Sequence, residues 1–154
     1  MEGSARLRDG MSGGRGNPPV VATMRRGTAK GDVCNVSALS LASHCGTRMD
    51  APLRFLHEGK TMDALPWDAV IGPARLVEIR DPEAIKPAEL KKLRPRAGER
   101  LLFKTRNSAR SWKKESFDKT FIYIAQESAR YLVDCGVQTG GVDYVMFLRF
   151  HHGG

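Results

Sequence analysis

Long apolar runs are missing from this chain. No stretch approaches the roughly 18 apolar residues of a membrane-spanning helix, and no apolar core follows the N-terminal charges as in a secretory signal. Both absences point to a cytoplasmic protein without a membrane partner. Cysteine is scarce: Cys34, Cys45 and Cys135 are odd in number, widely spaced and never arranged as Cys-x-x-Cys. That excludes a disulfide framework and predicts reduced thiols in a reducing compartment. Ser108 and Ser111 sit among basic residues without a Gly-x-Ser-x-Gly elbow, which gives a serine hydrolase little support. There is no internal repeat.

What is present has the balance of a globular domain. A hydrophobic fraction of 41% and a charged fraction of 27% over 154 residues are enough for one domain with a real core. The formal charge of +8 raises the question of nucleic acid. Its distribution argues against that partner: Arg6, Arg8, Arg15, Arg25, Arg26 and Lys30 lie in or beside an N-terminal leader, with only Glu2 and Asp9 opposing them. The remaining excess concentrates at 91–96 and 104–114, and basic clusters of this size are more often solvated faces.

Residues 1–17 are rich in Gly, Ser and Arg and carry no apolar periodicity, which predicts a disordered leader before a domain over 18–154. Strands are expected at 20–24, at 34–43 and, broken by Gly72-Pro73, across 69–79. Residues 61–65 suit a short helical turn, 86–93 a helix with Pro87 in its first turn, and 101–105 a strand. Residues 121–124 form either a strand or a lead-in to a helix. A helix is expected over 126–134, with Ala129, Leu132 and Val133 on one face and Gly136 as its stop. A last strand is expected at 142–148. The mixed order points to α+β or a β-rich α/β fold, a mixed sheet with a few helices.

The loop at 44–55, His-Cys-Gly-Thr-Arg-Met-Asp-Ala-Pro-Leu-Arg-Phe, follows a strand directly. Loops at sheet ends are where sites are commonly built. Imidazole and carboxylate suit zinc or manganese, and Gly46 and Pro52 allow His44 and Asp50 to converge. Two ligands alone make a poor site. The competing reading is structural: His44 capping a strand end, Asp50 bonding amides at a helix start, and Arg48 pairing with Asp50. Cys45 is a soft ligand or nucleophile in one reading and a small buried thiol in the other. His57 belongs on an exposed turn. Trp67 and Trp112 either line a pocket or pack in the core, the commoner use.

The loop resembles a family motif. His44-x-Gly46-Thr47-Arg48-x-Asp50-Ala51-Pro52-x-Arg54-Phe55 is similar to the His-x-Gly-Thr-His-x-Asp-x-Pro-x-His signature of the cyclase-like metal-dependent hydrolases, whose best-known members are bacterial kynurenine formamidases. Gly31 to Ser37, Gly59 to Pro66, Gly72-Pro73-Ala74 and the stretch Phe121 to Tyr144 extend the likeness across 18–148. The resemblance implies a swivelling β/β/α fold, usually a homo-oligomer, with zinc or manganese and a small-molecule substrate. His44 and Asp50 match metal ligands. Arg48 occupies the second ligand position and Arg54 the acid/base position. A later histidine and a glutamate complete the family's site; His151 and His152 are the weak candidates here, in a chain that reads as short at its C-terminal end.

Those two arginines change the chemistry. A guanidinium offers no lone pair to a metal and stays protonated at cellular pH, so it neither ligates a cation nor shuttles a proton near neutrality. Three functions follow. The first is a metal-dependent hydrolase of an aryl formamide such as N-formylkynurenine, as in tryptophan catabolism, or of a related cyclic amide or ester, with metal held weakly or not at all in this copy. The second is a non-catalytic scaffold or pseudoenzyme. The third is a binding domain in which Arg48 and Arg54 clamp an anionic metabolite.

Overall fold

A computed structural model of the chain describes residues 7–11, 17–110 and 118–144. They group into two units, one ending at Met49 and the other beginning at Asp50. In the first unit, β1 (Val21–Arg26) pairs antiparallel with β2 (Val36–Ser40), setting Ala22 opposite Leu39 and Thr23 opposite Ala38. The connection is tied by side chains. The Asp32 carboxylate accepts the Gly27 N–H at 2.7 Å, and Asn35 Oδ1 accepts the Thr28 N–H at 2.9 Å. Gly31 closes the turn at φ 88°, a conformation that favours glycine. Asn35 is thus consumed by the turn, so β2 starts later than the strand expected at 34–43. Within the span expected to be a leader, residues 7–11 carry structure: Asp9 Oδ1 accepts the Ala22 N–H at 2.7 Å, Gly10 N donates to the Val20 carbonyl at 3.1 Å, and Met11 is buried.

The second unit is built on a parallel sheet ordered β3 (Arg75–Glu78), β5 (Arg100–Lys104), β7 (Thr139–Val142). A smaller parallel pair joins β4 (Ala84–Ile85) to β6 (Tyr123–Ile124). Parallel neighbours need crossovers, and α2 (Pro87–Leu93) and α4 (Gln126–Asp134) lie in them. Alternation along β5 sends Leu101 and Phe103 inward, where they meet Val77, Ile79, Ile85, Leu90, Ile122, Ile124 and Leu132. Leu76 and Leu102 point the other way and stay exposed. The α/β class and the helices expected at 86–93 and 126–134 are present.

Several local expectations are corrected. The strand expected across 69–79 divides: Pro66 opens a one-turn helix, α1 (Trp67–Val70), and β3 begins only after Gly72-Pro73. Gly72 has φ 150°, and a Cβ there would fall 2.8 Å from the Arg100 guanidinium. On α4 the buried side is Ser128 and Leu132; Val133 is 74% exposed, because position 132 alone of that pair faces α2 and the sheet. The final strand starts at Thr139, earlier than expected, since the ladder follows β5 rather than the apolar run; positions 145–148 lie outside the described residues.

Two polar clasps close this unit. Arg75 donates to the Leu93 carbonyl at 3.1 Å and to Glu99 Oε2 at 2.8 Å, joining β3 to the end of α2. Just past β7, the Asp143 carboxylate accepts four bonds: the Thr105 and Ser108 N–H groups at 2.7 and 3.1 Å, and their hydroxyls at 2.9 and 2.5 Å. Between them Asn107 is buried and exchanges both hydrogen bonds with the Ile122 backbone at 2.9 Å. The short helix α3 (Asn107–Arg110) therefore starts on a pinned turn.

Three measurements test this account. Asp143→Ala leaves its backbone donors without their charged acceptor and should lower stability in urea denaturation by about 2–4 kcal/mol. Arg94, at φ 47° after α2, holds a left-handed conformation; Arg94→Gly should raise stability by about 0.5–1 kcal/mol in the same assay. Hydrogen bonds from the Ala84 and Glu83 N–H groups, then from Lys86, lower Asp81 from 3.8 to about 2. Asp81 therefore contributes stability above pH 4 that is lost as pH falls through 3.8 toward 2. Asp81→Asn should flatten that part of the acid-unfolding curve.

Candidate functional site

The loop at 44–55 crosses the boundary between the units, so its two halves are described separately. In the first half, Cys45 and Gly46 are buried and His44 is half-buried. Gly46 sits at φ 60°, and a Cβ on it would lie 2.7 Å from Leu7 Cδ2. This glycine permits the left-handed bend that returns Arg48 toward His44. Arg48 Nη2 lies 3.3 Å from His44 Nε2, and Nη1 donates to the Gly46 carbonyl at 3.4 Å. Because a guanidinium only donates, Nε2 acts as the acceptor in this contact and the ring proton belongs on Nδ1.

In the second half, Ala51 is extended and Pro52–Arg54 forms one 3-10 turn, with Pro52 at the position where its missing N–H costs nothing. The turn brings Arg54 under Asp50, four residues back: Arg54 Nε lies 3.3 Å from Asp50 Oδ2, with the side chains 31% and 32% exposed. The Arg54 guanidinium carbon also stands 5.4 Å from the centroid of the Phe55 ring, within cation–π range. Backbone bonds close the loop. The Leu53 N–H donates to the Lys60 carbonyl at 3.1 Å, the Leu56 N–H to Pro52 at 2.9 Å, and the Gly59 N–H to Leu56 at 2.8 Å. A Cβ at Gly59 would fall 2.5 Å from the Leu53 nitrogen, so only glycine fits this closure.

The other expected residues are placed as follows. Cys45 is buried, in line with a packed thiol, and all three cysteines are free. His57 is exposed. Ser108 is exposed and its hydroxyl is spent on Asp143. Trp67 is 78% exposed, so the core role expected for it is not taken up. His151, His152, Ser111 and Trp112 lie outside the described residues. Among the described residues no group of three or more His, Cys, Asp or Glu side chains is placed to hold a metal ion, and no helix is long and apolar enough to cross a membrane. Sequence reading missed the Asp143 clasp. Its signal was the Thr105-x-Asn107-Ser108 run directly after a strand, a group of short polar side chains that bond backbone at turns.

A family profile described as putative cyclase matches residues 8–147. The kynurenine formamidase of Salinibacter ruber is 32% identical over 122 residues, covering 79% of this chain and 56% of that protein. The kynurenine formamidase of Geobacillus thermodenitrificans is 33% identical over 129 residues, covering 83% and 60%. A solved structure described as a potential metal-dependent hydrolase with cyclase activity superposes with a TM-score of 0.79 at 27% identity, covering 97% of this chain and 70% of that one. The chain spans about half the length of the curated relatives it matches. With the loop motif, the mixed α/β fold and these likenesses in agreement, the chain belongs to the cyclase family, among relatives that include the kynurenine formamidases.

Proposed function

We propose that this chain carries the amide-hydrolase framework of the kynurenine formamidase type, directed at a small aryl formamide such as N-formylkynurenine or a related cyclic amide or ester, with metal binding impaired. Two internal arginine pairings carry this reading: Arg48 on His44 at 3.3 Å and Arg54 on Asp50 at 3.3 Å. His44 Nε2 and the Asp50 carboxylate are the groups that would face zinc or manganese, and each is engaged by a guanidinium. The donor set therefore does not fit a divalent cation. A fixed +1 charge about 4 Å from a +2 ion costs roughly 8 kcal/mol at an effective dielectric of 20, before relaxation. Where the family signature has a histidine, Arg54 brings a guanidinium, which has no free lone pair to accept a proton.

The same pairings favour a non-catalytic scaffold as the second reading, since they keep the loop's shape while removing its chemistry. They weigh against the anion clamp, because both guanidiniums already spend donors inside the loop. Assembly as a homo-oligomer in a reducing compartment accompanies either reading; the free cysteines and the largely exposed β1–β2 ribbon accord with it.

Metal analysis and a formamidase assay test the proposal together. Purified protein should hold zinc and manganese far below one ion per chain, and hydrolysis of N-formylkynurenine should not rise when either metal is added. Arg48→His, which restores an imidazole and removes a charge, should tighten zinc binding by about tenfold or more in a competition titration. Stoichiometric metal in the unmodified protein, lost in Asp50→Asn, would sink the proposal.

A further inference from the structure

Resting on that reading, we infer that Arg54 is a built-in cation for the site loop: its guanidinium occupies the electrostatic place of a bound metal and holds the loop closed without one. The observations are local to residues 50–60. Asp50 opens the loop with a carboxylate, and Arg54 returns to it at 3.3 Å after one 3-10 turn. The Phe55 ring lies 5.4 Å from the guanidinium carbon, so the cation is held between a carboxylate and an aromatic ring. The backbone bonds from Leu53, Phe55, Leu56 and Gly59 then close the loop around that pair.

The other half of the motif repeats the arrangement. Arg48 also lies four residues after its partner, His44, and bonds the intervening Gly46 carbonyl as well. Each histidine-to-arginine departure from the family signature therefore coincides with a pairing onto the preceding ligand-type residue. A guanidinium tethered by the chain cannot be chelated and does not titrate near neutrality. The consequence is a loop whose order is independent of metal and dependent on Arg54, which impaired metal binding does not by itself require.

Amide hydrogen exchange on the full chain separates these possibilities, with Leu101 and Phe103 of β5 as the internal reference for global opening. In the unmodified protein, exchange at Leu53, Phe55, Leu56 and Gly59 should be unchanged by EDTA or by excess zinc. Arg54→Met should speed exchange at those four amides by about threefold, the scale of a partly exposed ion pair, and Arg54→Lys should recover part of the protection. If Arg54→Met also loses β5 protection, Arg54→Gln replaces it in the comparison. Unchanged loop exchange in a folded Arg54 variant, with EDTA still without effect, overturns the built-in cation alone. Loop exchange that slows on adding zinc, or quickens with EDTA, overturns it together with the impaired-metal reading.

Discussion

The second unit depends on the central position of β5. A parallel strand with a partner on each side can form a continuous ladder only if its crossovers cover one face, and Leu101 and Phe103 supply the apolar surface that makes this favourable. Each fully buried side chain of that size contributes about 1.5–3 kcal/mol, and β5 provides two, with Ile85, Leu90, Ile122 and Ile124 closing over them. The ends of β5 and β7 are then brought level, which lets Asp143 reach the Thr105 and Ser108 amides. The polar clasp follows from the apolar ladder.

The site loop follows a different logic, that of charge. It retains the glycine bend, the proline exit and the imidazole and carboxylate of the family signature, while two arginines stand where histidines are expected. The 3-10 turn after Asp50 brings Arg54 back to the carboxylate, and Gly59 keeps the loop tight. A change from a lone-pair donor to a permanent cation alters the chemistry and leaves the scaffold intact. Likeness to a solved relative over 97% of the chain therefore coexists with a guanidinium on the loop's imidazole and another on its carboxylate.

Much of the fold was legible because its signals were local. Pro87 inside a first turn, the Leu101–Phe103 alternation and the Gly136 stop each depend on neighbours within a few residues, and the elements they predict are present. The failures were of another kind. Val70 and Ile71 read as strand, yet Pro66 opens a helical turn that ends at Val70, and β3 begins only after Gly72-Pro73. Val133 looked like a core residue by its type, and lies exposed because the packing of α4 against its neighbours selects Leu132 instead.

The motif at 44–55, the single polar character of Arg48 and Arg54, and the family they point to were all determined by the sequence, since side-chain chemistry is a property of residue type. Which acceptor each arginine meets was decided only in three dimensions. Arg48 lies on the His44 imidazole, four residues back, and Arg54 on the Asp50 carboxylate. The same holds for Asp143, whose four donors come from residues 35 to 38 positions away. Hydrogen-bond partners are chosen by distances of about 3 Å, and such distances between remote residues exist only after the strands have been brought side by side.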